Sequence, residues 1–158
     1  MQGDPAVIEI LNEVLTAELT AVNQYWVHYR MLDNWGLERL AGHAREESID
    51  EMKDADRVIE RILFLDGVPN MQRLNPVRVG ETVPEQLAAD LAVEQAAVER
   101  YNRGIALCVE RGDNATRALF ETHLVGEEEH VDWIEAQLSL IETTGLQRYL
   151  AQQIHADD

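Results

Sequence analysis

Three observations predict an all-α, antiparallel four-helix bundle with one long crossover and a short C-terminal fifth helix. Apolar residues recur at steps of three and four through four segments, the period of helices with one buried stripe. The four segments are nearly equal, about 28 residues each, or about 42 Å at 1.5 Å per residue. Short turns join the first pair and the last pair, whereas the stretch from Asp66 to Glu81 is long enough to run the length of a bundle.

Each element has its own local signals. Asp4 and Pro5 open the first helix as N-cap and first helical residue, and Asn34-Trp35-Gly36 turns the chain. The second helix is expected from Leu37 to Leu65, stopping at Asp66-Gly67-Val68-Pro69. Asn75-Pro76 and Gly80 break the connection that follows, with only a few extended residues around Val77 to Val79. Thr82-Val83-Pro84-Glu85 reads as a capping box, so the third helix starts there and ends at Arg111-Gly112. Asp113 caps the fourth, which fades at Thr143-Thr144-Gly145, and a last short helix is expected from Leu146 to about Ile154.

At 158 residues with 46% hydrophobic and 27% charged side chains, the chain is expected to form one globular domain, 1–158. A net charge of −17 argues against nucleic-acid binding, which wants a basic face. That charge fits either an acidic surface or an acidic interior that attracts cations. The single cysteine, Cys108, lies on an apolar stripe and excludes an internal disulfide or thiolate cluster. Neither a signal peptide nor a membrane span is expected, and the cytoplasm is the expected compartment.

The apolar stripes are interrupted by acids at matched depth. The first carries Leu11, Leu15, Glu18, Val22 and Tyr25; the second Leu40, Ala44, Glu47, Glu51, Asp54 and Val58. The third carries Leu91, Glu94, Val98 and Tyr101; the fourth Phe120, His123, Glu127, His130 and Ile134. A shift of 76 residues lays Glu18 on Glu94, Tyr25 on Tyr101, Glu51 on Glu127 and Asp54 on His130. Each half therefore supplies one acid from its first helix and an acid-x-x-ligand pair from its second. Buried carboxylates repel one another and are costly without compensation. Two metal ions held by Glu18, Glu51, Asp54, Glu94, Glu127 and His130 would compensate them, and such oxygen-rich ligation with an imidazole suits iron or manganese, with zinc also able to bind. Tyr25 and Tyr101 fit two roles: core aromatics whose hydroxyls need partners, or groups that bond a ligand carboxylate or supply an electron. Met52 follows a proposed ligand and points about 100° from the metal seam. With Leu19, Val22, Trp26, Ile49, Ile59 and Leu63 it outlines a second apolar face, expected to meet a partner subunit. Methionine is also a haem ligand.

The segments ELTAVNQY (18–25), ESIDEMK (47–53) and RILFLDGVPN (61–70) resemble bacterioferritin, and the similarity runs over the whole chain. The resemblance implies a ferritin-like fold and a cytoplasmic 24-subunit cage, built from dimers, that stores iron as a ferric mineral. It implies a ferroxidase, with Glu18, Glu51, Glu94, Glu127 and His130 on the family's metal ligands. Haem b would lie between paired copies of Met52, Glu46 and Asp50 would serve the inner surface and iron traffic, and a small ferredoxin would deliver electrons for iron release. The family has histidine where this chain has Asp54, which is shorter and adds a negative charge. Two readings follow: a di-iron centre altered at Asp54, or a haem-bearing subunit with an impaired centre that co-assembles with a competent second bacterioferritin subunit.

Overall fold

The computed structural model describes residues 1–156 and is all-helical, so the last two residues of the expected 1–158 domain lie outside the described residues. Its elements are α1 (Pro5–Asn34), α2 (Glu38–Phe64), α3 (Val83–Arg111), α4 (Asn114–Thr144) and α5 (Leu146–Ala151). The local signals act as expected at most ends. Asp4 accepts the amide of Ala6, Asp113 accepts that of Thr116, and Gly112 closes α3 at a φ of 71°. At α3, Thr82 Oγ1 accepts the Glu85 amide, but Glu85 Oε2 reaches back to the amide of Glu81 instead of the cap residue. The last helix is shorter than expected, because residues after Ala151 turn so that the Gln153 carbonyl can accept the amide of Arg39.

Helix α1 packs along α2, α3 packs along α4, and α1 against α3 joins the two hairpins. Two apolar clusters fill opposite ends of the bundle. One gathers Leu11, Val14, Leu15, Val58, Ile62, Tyr101, Cys108 and Phe120. The other gathers Leu32, Leu40, Ala44, Leu87, Ile134 and Tyr149. On all four long helices, the acids and histidines of the stripes lie between these two clusters. Hydrophobic burial at both ends thus holds the polar middle in place.

The crossover is held by a polar row on α1 at steps of four. Asn12 accepts the amide of Asn70, Thr16 the guanidinium of Arg73, Thr20 the amide of Asn75, and Gln24 the amide of Arg78. His28 Nε2 accepts the amide of Gly80 at 3.0 Å, where a side chain on residue 80 would collide with the Gln86 backbone. His28 Nδ1 then carries the proton and donates to Asp90 Oδ1 at 2.9 Å, beside the amide of Gln24. The connection has no regular secondary structure, so α1 side chains take over satisfaction of its amides.

Candidate metal centre

Midway along the bundle, four helices turn acids and imidazoles toward one another. Glu18, Glu51, Glu94 and Glu127 are each at most 2% exposed. Two sets of ligand-type atoms each fall within 4.8 Å: Glu47, Glu51, Glu94 and His130, and Glu18, Glu51, Asp54 and Glu127. Glu51 belongs to both, the placement of a group shared by two adjacent cations. The 76-residue shift becomes crossed hydrogen bonding. Tyr25 donates to Glu94 Oε1 at 2.5 Å, and Tyr101 donates to Glu18 Oε1 at 2.6 Å. Each tyrosine orients the single acid of the other half.

The electrostatics are those of a site built for positive charge. Burial, and then the charges of Glu18 and Glu127, push the Glu51 carboxyl well above the usual range. Burial, then Glu18 and Glu94, do the same to Glu127, and burial raises Glu18 against its contacts with Glu51 and Tyr101. Burial and the charge of Glu18 lift Asp54 to about 7. Burial works against the His130 imidazolium, but Glu127, Glu47, Glu51 and Glu94 outweigh it and drive its pKa far up. Burial also opposes the charge on Glu94, yet Glu127, His130 and Tyr25 outweigh it and lower the carboxyl. Protons thus supply some of the missing positive charge. They leave a remainder: Glu18 Oε2, Glu51 Oε1, Glu94 Oε2, both oxygens of Glu127, and His130 Nδ1 are buried with no hydrogen-bond partner. Orphaned buried acceptors clustered in this way fit a pair of cations, the compensation that leaves each carboxylate ionised.

The six expected metal residues thus lie together, with Tyr25 beside them. Glu46 and Asp50 lie outside the cluster on the exposed side of α2, Asp50 within 3.5 Å of Lys53. Met52 is 40% exposed on another face, with Trp26 and Leu63 exposed as well. Leu19, expected on the same face, is buried in the apolar cluster at one end of the bundle. Two cluster residues went unassigned in the sequence reading. Glu47 Oε2 lies 2.7 Å from His130 Nε2, and His123 Nε2 lies 3.4 Å from Asp54 Oδ1. Both stand on the stripes, and the same 76-residue shift superposes Glu47 on His123.

Fold and site together define a ferritin-like carboxylate bundle. The family model for the ferritin-like domain matches residues 8–144. The chain is 51% identical over 152 residues to a bacterioferritin of Mycolicibacterium paratuberculosis, covering 96% of each chain. It is 49% identical to bacterioferritin BfrA of Mycobacterium tuberculosis over the same length and coverage. To a bacterioferritin of Rhodobacter capsulatus it is 48% identical over 149 residues, 94% of this chain and 92% of that one. The chain belongs to the bacterioferritin family, and iron storage is the function that membership supports. Among the described residues, no helix is long and apolar enough to cross a membrane.

Proposed function

We propose that this chain, folded as one domain, is a ferroxidase and iron-storage subunit. Two Fe(II) ions enter as substrate between Glu18, Glu51, Asp54, Glu94, Glu127 and His130, are oxidised by oxygen or peroxide, and leave as Fe(III) for storage. The observation that carries this reading is the concentration of orphaned carboxylate oxygens at the centre of the bundle. Ionised carboxylates favour the higher iron charge, so the site stabilises product over substrate and lowers the cost of losing an electron. Two ferrous ions side by side release two electrons together, the number that takes oxygen to hydrogen peroxide or peroxide to water. Tyr25 and Tyr101 hold the two single acids in position, and Tyr25 is a further source of an electron.

The family supports the remainder of the proposal: a 24-subunit cytoplasmic cage built from dimers, haem b between paired Met52 side chains, and a ferredoxin-type reductant for iron release. Glu46 and Asp50 would then face the interior and carry iron between centre and cavity. Mixing anaerobic protein and ferrous ion with oxygen in a stopped-flow cell tests the chemistry. A fast ferric absorbance that saturates near two irons per subunit is expected. Oxidation no faster than in protein-free buffer, with haem still bound to the assembly, would favour the haem-bearing, impaired subunit instead.

A further inference from the structure

Asp54 puts a carboxylate where the family's motif has an imidazole, and the structure holds another imidazole, His123, 3.4 Å from that carboxylate. His123 is 2% exposed, and its Nε2 has no hydrogen-bond partner. Its other nitrogen, Nδ1, is 3.2 Å from the Tyr101 hydroxyl. Tyr101 has one hydrogen, and the 2.6 Å contact to Glu18 Oε1 claims it. The hydroxyl can therefore only accept from His123, which places the ring proton on Nδ1 and leaves a lone pair on Nε2. That lone pair lies 3.4 Å from Asp54 Oδ1, itself part of the set with Glu18, Glu51 and Glu127. Two acceptors facing each other repel unless a proton or a metal ion lies between them, and Asp54 is a quarter exposed on the side from which an ion could arrive.

The pattern across the pair of helices agrees. Helix α2 presents Glu47, Glu51 and Asp54, and α4 presents His123, Glu127 and His130, at the same steps of four and three. Glu47 meets His130 and Asp54 meets His123. Each half thus has one imidazole and one added carboxylate, and both imidazoles come from α4. Resting on the di-iron reading above, we propose that His123 Nε2 is the nitrogen ligand of the Asp54 half of the metal centre. Its Nδ1–H bond to Tyr101 fixes the ring, as the second nitrogen of a metal-bound histidine is commonly fixed. On this assignment Asp54 does not cripple the centre; the imidazole has moved from α2 to α4.

Zinc is a suitable probe because it takes the same donors without redox chemistry. The intact assembly is expected to bind two Zn(II) per subunit by calorimetry. His123→Leu should keep one and weaken the other by more than the roughly 10–100-fold that loss of an orienting partner costs. Adding Asp54→His to that variant should restore the second ion by returning the imidazole to α2. If H123L binds both ions with unaltered affinity, the His123 assignment falls while the paired site stands. If the unmodified protein binds no zinc pair, both fall. Should H123L fail to fold, anomalous diffraction from zinc-soaked crystals of the unmodified protein decides. Zinc about 2.0–2.1 Å from His123 Nε2 supports the assignment, and zinc held there by carboxylates alone overturns it.

Discussion

Asp90 and Glu94 are one turn apart on α3, both buried, and the structure completes them differently. Asp90 accepts from Gln24 and His28, which in turn take the amides of Arg78 and Gly80. Among the described residues, that group leaves no fully buried side-chain atom of Gln24, His28 or Asp90 without a partner. Glu94 has Tyr25 on one oxygen and no hydrogen-bond partner on the other, in the company of five more carboxylates. A closed polar network fastens parts of the fold to each other; an open one is shaped for something brought from outside.

The contrast is open to direct attack. The largest effect is expected at the shared acid: Glu51→Ala should slow ferrous oxidation at least about 100-fold, beyond the usual cost of an outer-shell loss. The same variant should raise the stability of the metal-free protein, since it removes a buried, partly unpartnered carboxyl that must either take up a proton or crowd its acidic neighbours, and urea unfolding reads that sign. Asp90→Ala should do the reverse. It should cost about 3 kcal/mol by stranding the buried partners of Asp90, and leave the number of metal ions bound per subunit unchanged. An Asp90 variant that loses metal but not stability would erase the distinction.

Proton linkage sharpens it further. Folding raises Asp54 from 3.8 to about 7 and raises Glu51, Glu127 and His130 as well. The folded metal-free chain then holds more protons than the unfolded chain, so stability falls as pH rises through these folded values. His123, lowered from 6.5 to about 4 by burial and the charge of Arg57, acts with the opposite sign between those values. The net decline should therefore be clear from pH 6.5 to 8, as a falling Tm that bound zinc abolishes. Metal binding should also release protons, measured as a buffer-dependent calorimetric heat.

Smaller effects should follow from the groups that only position others. Tyr25→Phe frees Glu94 Oε1 and should weaken metal binding about 10-fold, with little change in fold. Thr20→Val removes the acceptor of the Asn75 amide, and about 1 kcal/mol of stability is the expected loss. Its metal titration should match that of the unmodified protein.

Most of the architecture was legible in the chain because helices are specified locally. Caps, turn glycines and three-four spacing mark the ends and the buried faces of α1 to α4 within a residue or two. The five acids and one histidine of the proposed centre could be picked out for the same reason, since a charge on an apolar stripe needs an explanation. His123 and Glu47 sat on those stripes too, but a stripe position does not say which atom faces which neighbour. The row Asn12, Thr16, Thr20, Gln24 and His28 has the spacing of any solvated helix face. Only the crossover lying on it turns it into a buried clasp. Periodicity thus determined the helices, their inward faces and the repeat that pairs them. The packing of four helices decided which polar atoms lose water, and so which are satisfied within the chain and which are left for metal.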